Sequence, residues 1–395
     1  MIMIVIYFIA HSEWILQRSR ADMARSLKSD FKIVSICPVS EYEANLKDAY
    51  YESINWSIDR TKLLDIKGIL KLRKIIKNFN SGDIVHIFTI KSLYLFIFSS
   101  LFFKKDFKVI VSITGLGYLF ADTILAKILR NISRPLIRVR INSSIDYLIF
   151  QNRDNFQKFV DYSNYKNNSQ IISGSGLNTT EFNTKNTFNE NIKVIFVGRL
   201  MREKGIYEYL DIANRFRDKE NLTFFIAGKP DFGNKSSISE REFHELQNNK
   251  NISYLGEIDV QKELANYDLL LQPSYHEGFS RILIESIYVG VYCLANNIYG
   301  MKEIIEKSNF GILINNNDVK EFEIEINNFM KNKNNISFDS ARNIIKTNYS
   351  LEAISQQFKE YIMNLLNDFQ VSIYVASIVA FFLSTLFCFV TIKNK

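Results

Sequence analysis

The chain has 395 residues, 47% of them apolar, with 15 glycines, 4 prolines and a net charge of +7. That length holds two domains with full cores, and that composition excludes a disordered chain. Three scattered cysteines (Cys37, Cys293 and Cys388) and four histidines without ligand spacing exclude a disulfide framework and a structural zinc, so no protein-bound metal is expected.

The charge is uneven: residues 1–180 carry 25 Lys and Arg against 15 Asp and Glu, a net +10, and the remainder is −3. A basic half suits anionic membranes, polyphosphates or nucleic acid. No nucleic-acid motif accompanies the charge, so membrane lipids rank first as partners and nucleic acid is not expected.

Residues 1–10 are a continuous apolar run with the length of a buried parallel strand, and no basic leader or cleavage site makes them a signal peptide. Residues 14–27 have helical spacing and 32–37 read as a second strand, a β-α-β opening of a doubly wound sheet. The loop between them lacks G-x-G-x-x-G, so dinucleotide binding is not supported. Residues 81–92 (SGDIVHIFTIKS) read as turn, strand and loop, with His86 either a core histidine or a functional one. The apolar stretch 93–103 is too short to span a bilayer and suits a buried helix.

Residues 109–118 (VIVSITGLGY) run from a strand into a glycine-rich loop of a kind common in plain turns. The helical stretch 123–140 then carries Lys127, Arg130, Arg134, Arg138 and Arg140 among Leu, Ile and Val, with no acid between Asp122 and Asp146. Such a helix either lies in the headgroup region of an anionic leaflet or is half buried with a solvated basic face. Pro135 is expected to break it into two pieces. Another strand (147–152) and a short helix follow, and residues 171–178 (IISGSGLN) end the first half. Residues 179–190, rich in Asn and Thr, are the expected linker.

The second half opens with KVIFVGRLMREKG at 193–205, where a strand delivers Gly198 and Arg199 to a loop and Lys204 precedes the helix at Ile206. Arg199 and Lys204 can converge on one anion, at roughly 1.5–3 kcal/mol per charge-assisted contact. Residues 222–228 and 252–256 are further strands, each ending in a turn. An apolar strand at 267–272 stops at Pro273, and a polar turn (Glu277, Gly278, Phe279, Ser280) leads into a helix near Arg281. Gly278 lets the backbone approach a ligand closely, and the first N–H groups of the helix form an anion site. Glu285 lies about two turns into that helix, placed to accept from a diol such as ribose. Two glutamates eight apart are by themselves ordinary solvated surface. Residues 351–366 form a terminal helix, and 371–392 are 22 residues without charge. As a helix that run is roughly 33 Å long, enough to cross a ~30 Å hydrocarbon core, and it reads as a C-terminal membrane anchor.

Residues 272–303 (QPSYHEGFSRILIESIYVGVYCLANNIYGMKE) resemble the signature of glycosyltransferase family 4, retaining enzymes of GT-B fold. Ser286 stands for the usual Ala, Val289-Gly290 for the usual small pair, and Gly300 to Glu303 complete the pattern. The G-R-x-x-x-x-K-G at 198–205 is similar to the family's grip on the donor diphosphate. Nearer the start, Trp14 and Arg20 match the opening of bacterial polysaccharide enzymes, with Ser19 in place of a histidine, and His86 and Lys91 match a second segment. The T-G-L-G-Y at 114–118 resembles the loop of enzymes that extend polyprenyl-diphosphate-linked sugars; many members carry a histidine at or beside Thr114 that this chain lacks.

The resemblance covers residues 1–368 and implies two Rossmann-like domains facing across a cleft. Residues 1–178 would be the acceptor side, 191–350 the donor domain and 351–368 a helix crossing back, with the anchor at 371–392. It implies retaining transfer from a nucleotide diphosphate sugar, UDP-linked, to a polyprenyl-diphosphate-linked or growing glycan in lipopolysaccharide or capsule synthesis, without cofactor. Arg199, Lys204 and the helix N-terminus would stabilise the leaving diphosphate, and Glu277 would fix the sugar hydroxyls. The N–H groups of Gly278, Phe279 and Ser280 would orient the sugar, with Gly198 beneath the diphosphate, Ile258 at the nucleobase and Glu285 on the ribose. Trp14, Arg20, Thr114, Gly115 and Tyr118 would meet the acceptor. The catalytic domains are expected on the cytoplasmic side. A sugar-nucleotide epimerase of the same fold and a catalytically silent, membrane-tethered binder are the alternatives.

Overall fold

Apolar runs without alternation make strands that must be covered on both faces, and the chain uses them to build two wholly parallel sheets. The structure, a computed structural model, describes residues 4–366 except 40–47, 60–64, 102–104, 121, 122 and 235. The first sheet contains β1 (Val5–Ala10), β2 (Lys32–Cys37), β3 (Glu52–Asn55), β4 (Ile84–Phe88), β5 (Lys108–Ile113), β6 (Tyr147–Phe150) and β7 (Asn168–Ile171), in the order β3-β2-β1-β4-β5-β6-β7. The second contains β8 (Ile192–Val197), β9 (Leu222–Ala227), β10 (Ile252–Gly256), β11 (Leu269–Gln272), β12 (Tyr292–Asn296) and β13 (Gly311–Ile314), in the order β10-β9-β8-β11-β12-β13. The direction of winding reverses between β1 and β4 and again between β8 and β11. Each reversal opens a crevice at the carboxyl ends of the strands, where such sheets bind ligands.

In the first domain, α1 (Glu13–Ser19) and α2 (Ala21–Leu27) cover one face. The other carries α3 (Ile66–Ile76), α4 (Ile90–Ser99), α5 (Ile124–Ser144) and α6 (Arg153–Ser163). Residues 351–366 are helical and return to the α1/α2 face, where Ile354, Phe358 and Ile362 join Phe8, Ile84 and Ile110 in one core. Bonds from Ser26 to Ser355 (2.8 Å) and from Lys359 to Asp30 (2.8 Å) fasten that return.

Two expectations are corrected here. The single helix over 14–27 is two short ones, because Arg20 leaves helical geometry (φ −129°, ψ −11°) and its guanidinium turns inward over the Phe88 ring, 4.9 Å from the centroid. Pro135 does not break α5, which runs unbroken for 21 residues. Pro135 and Asn131 are both exposed, so the carbonyl that loses its N–H partner is left to water.

Two parts of the chain link the domains side by side. Leu177 N–H donates to the Tyr349 carbonyl and Leu351 N–H to the Leu177 carbonyl, both at 2.9 Å. The 179–190 segment is tied down at Asp268, which is fully buried and accepts from Lys185 (2.6 Å), the Asn189 N–H (3.0 Å) and the Lys193 N–H (2.9 Å). Burial alone would raise the pKa of Asp268, but these donors outweigh it and hold the carboxyl below its ordinary value. Residues 371–392 lie outside the described residues. Among the described residues, no helix is long and apolar enough to cross a membrane.

Candidate active site

Adjacent parallel strands deliver adjacent loops, so the loops after β8 and β11 meet at the second crevice. The first runs through Gly198 and Arg199 to a short turn, Arg202–Lys204, and then into α7 (Ile206–Arg215). The second runs from Pro273 to Ser280 and enters α8 (Arg281–Val289). A β-carbon on Gly205, whose φ is +77°, would fall 2.0 Å from the Pro273 carbonyl oxygen, so the loops touch backbone to backbone. The Tyr275 N–H donates to the Glu203 carbonyl at 2.9 Å across the same seam. Beneath it, Asn317 Nδ2 donates to the Pro273 carbonyl (2.6 Å) and Asn296 Nδ2 to the Ser274 carbonyl (3.1 Å).

On this support Lys204 Nζ meets Glu277 Oε1 at 2.5 Å, with the side chains 25% and 13% exposed. Gln272 donates to the same carboxylate (3.3 Å) and accepts from Ser280 Oγ (2.7 Å). The backbone of Glu277 packs on Gly300, in α9 (Tyr299–Ser308), where a β-carbon would sit 2.3 Å from the Glu277 carbonyl oxygen. Thus the two loops present one cation, one carboxylate and the start of α8 together. Charge of both signs held on rigid backbone is what a diphosphate carrying a polyhydroxylated group requires.

Other expected donor residues are placed differently. Arg199 is 59% exposed and pairs with Asp231 (3.2 Å) rather than joining Lys204. Glu285 is buried and one of its oxygens accepts from Arg281 Nε at 2.7 Å, so a ribose would have to share it. Ile258 is half buried beside the second core, in the loop after β10. Gly198 lies under Gly228, whose added β-carbon would strike the Gly198 carbonyl oxygen at 1.8 Å.

The first domain reaches this site. A β-carbon on Gly278 would fall 2.0 Å from the Thr114 carbonyl oxygen, and Asn152 Nδ2 donates to the Gly278 carbonyl at 2.5 Å. The Phe279 ring lies against Gly174. Gly115 has open space where a side chain would be, and Tyr118 begins a short turn of 3₁₀ helix, Tyr118–Phe120. Trp14 is 60% exposed on α1. Arg20 is buried, and its Nε and Nη1 have no hydrogen-bond partner. Burial draws its pKa down to about 10, Tyr50 opposes that, and the neighbouring Arg281 adds to it. Contact with an acceptor would therefore require Arg20 to move.

His86 is a core histidine: 1% exposed, bonded to Ser112 Oγ at 2.8 Å and packed edge-on against Phe8. Burial, then the Arg20 charge, hold it well below its ordinary pKa and neutral. Sequence reasoning passed over His11, which directly follows β1 at the first crevice, where Nδ1 bonds Thr89 Oγ1 at 2.8 Å. Thr89 itself has φ +78°, uncommon for a β-branched residue and usual near functional sites. Their place after the two strands flanking a winding reversal is the signal that could have found them.

Residues 5–152 match the family model described as glycosyl transferase 4-like, and residues 178–350 match glycosyl transferases group 1. A curated relative from Campylobacter jejuni, N,N'-diacetylbacillosaminyl-diphospho-undecaprenol alpha-1,3-N-acetylgalactosaminyltransferase, is 22% identical over 373 residues, 89% of this chain and 96% of its own. An uncharacterized 41.2 kDa protein of the cps region of Klebsiella pneumoniae is 26% identical over 305 residues, 72% of this chain and 80% of its own. Among solved structures, sucrose-phosphate synthase from Thermosynechococcus elongatus superposes with a TM-score of 0.73 at 15% identity, over 92% of this chain and 100% of its own. HepE of Anabaena, in complex with UDP and glucose, gives 0.71 at 16% identity over 91% and 99%. With one glycosyltransferase model matched to each of two facing parallel-sheet domains, the chain belongs to the GT-B glycosyltransferases that join a 4-like first domain to a group 1 second domain.

Proposed function

We propose that this chain moves a sugar from a nucleotide diphosphate donor, UDP-linked, onto a lipid-linked or growing surface glycan with retention of anomeric configuration. The observation that carries the proposal is the Lys204–Glu277 pair at the meeting of the β8 and β11 loops. As the glycosidic bond breaks, negative charge grows on the leaving diphosphate. Lys204, a swung Arg199 and the start of α8 would take it up, with no resident metal in the scheme. Donor binding would draw Lys204 off Glu277, freeing that carboxylate for the sugar hydroxyls. The leaving phosphate would receive the acceptor's proton in a front-face displacement. The Campylobacter relative's name specifies a diphospho-undecaprenol acceptor, a Staphylococcus aureus relative over 134 residues is a capsular polysaccharide biosynthesis glycosyltransferase, and the HepE structure contains UDP and glucose. We further assign the uncharged 371–392 run as the anchor that keeps the catalytic domains at the cytoplasmic face, near a lipid-borne acceptor.

The test is incubation of the full chain in detergent with a panel of nucleotide sugars and polyprenyl-diphosphate sugars. The expected result is a lengthened lipid-linked glycan with UDP released. A new epimer formed from donor alone, or donor binding without transfer to any acceptor, would overturn the proposal.

A further inference from the structure

The basic helix α5 has its faces arranged opposite to those of an ordinary surface helix. Ala126, Ile137, Ile141 and Ser144 face the core. Ile124, Leu125, Ile128, Ile132 and Val139 point to solvent, between 49% and 80% exposed. At about 100° per residue these five fall within about 100° of arc, opposite the buried face. Lys127, Arg130, Arg134 and Arg138 run along one flank of that stripe. Arg130 donates to the Leu119 carbonyl (3.3 Å), Arg134 to the Asp161 carbonyl (3.5 Å) and Arg138 to the Tyr162 carbonyl (3.1 Å). These acceptors are main-chain oxygens, so the flank is anchored without losing its charge.

A half-buried helix with a solvated basic face would point its charges outward and its isoleucines inward. Here the isoleucines hold the outer centre and the charges border them, which is the pattern of a helix lying in a bilayer interface. In the same layer α3, which packs on α4 as α5 does, repeats it on a smaller scale: Ile66 and Leu70 are exposed beside Lys67 and Lys74.

We infer that the outer face of α5 docks on the surface of an anionic lipid bilayer. Charge complementarity selects that occupant. The flank is basic, and residues 1–180 carry the +10 excess. A second copy would bring the same cations against it. The docked face also starts in a useful place. Thr123, at the head of α5, follows by nine residues Thr114, whose carbonyl touches Gly278. From there α5 extends about 31 Å at ~1.5 Å per residue. A lipid-borne acceptor would therefore enter the cleft from the end of α5 nearest the candidate site. This deepens the lipid-linked-acceptor reading and rests on it for its purpose, while the docking itself needs no transfer.

The test uses the full chain in nanodiscs with Cys388→Ser, labelled with an environment-sensitive fluorophore at Ile132→Cys or, as a control, at Ile324→Cys on the second domain, where Ile324 is 57% exposed. Quencher-bearing lipids then report contact. In discs containing phosphatidylglycerol, the label at 132 is expected to shift blue and be quenched several-fold more than the label at 324. The difference should shrink in pure phosphatidylcholine and in the added variant Ile128→Glu. Equal quenching at both positions would overturn the inference. So would a blue shift that ignores lipid charge and tracks protein concentration, since a second copy would then cover the face. A second arm compares transfer to a bilayer-held acceptor with transfer to a short-chain soluble one, and Ile128→Glu is expected to lower only the former. Loss of transfer with quenching intact would count against the transferase reading alone.

Discussion

The two winding reversals that face each other across the cleft are built to different standards. At the second, between β8 and β11, glycine contacts and the Asn296 and Asn317 amides lock the loops and Lys204 pairs with Glu277, while Glu203 Oε2 and Asn317 Oδ1, buried without partners, are acceptors rather than donors. At the first, between β1 and β4, Thr89 sits at φ +78°, Arg20 keeps two buried nitrogens without partners and Trp14 stands in solvent. A site finished in the absence of ligand is preorganised for one chemical class. A site with strain and orphan donors is completed by whatever it binds. Under the proposed function, the half that would hold the donor is fixed and the half that would meet the acceptor is adaptable.

Removing the deepest support of the fixed half should have the largest effect. Asp268→Ala strands the buried Lys185 ammonium and is expected to cost about 3–5 kcal/mol in denaturant unfolding; an unchanged midpoint would show that the second domain does not depend on this tie. The acid response follows from the same group. Its folded pKa lies below the unfolded one, so its stabilisation is present above the unfolded value, ~3.9, and is lost as pH falls through the folded value. Asp268→Asn should therefore flatten that acid limb.

Next come the reacting groups. Lys204→Ala and Glu277→Ala are each expected to lower kcat by about 10²–10³ with unchanged circular dichroism. Lys204→Ala should also weaken UDP binding; full activity in either variant would remove the basis for calling this half the donor site. Asn152→Ala loses both its bond to Gly278 and its cap on α6, where it accepts from the Asn155 N–H at 2.8 Å. A loss of about 1–2 kcal/mol is expected, with KM raised for donor and acceptor together; a change in one KM alone would mean the halves are not coupled there. The smallest effect belongs to the adaptable half. Trp14→Ala should change stability by less than about 0.5 kcal/mol and raise KM for the acceptor while UDP affinity stays the same. Weakened UDP binding in that variant would erase the contrast.

What could be read in advance was whatever is written in consecutive residues. The apolar runs became buried strands, and the G-R-x-x-x-x-K-G and E-G-F-S stretches marked the two loops because their glycines are demanded by backbone contacts at Gly205 and Gly278. What escaped depended on partners distant in sequence. Arg199 turns to Asp231, 32 residues on, and Asn152 reaches Gly278, 126 residues on. The break at Arg20 has no helix-breaking residue and accompanies the turn of its guanidinium over the distant Phe88 ring. Spacing alone could place the basic residues of α5 on a helix, but could not tell which side met the core, and that orientation separates a solvated helix from one that docks.

The paired crossings at Leu177 and Ser350 restrict how the two halves can part. Because each strand is bonded to the other at 2.9 Å, a sideways twist would shear both bonds, whereas bending the pair as a unit keeps them. A hinge at this bridge would part the halves as a book opens on its spine, carrying Gly278 away from Thr114 along a single arc.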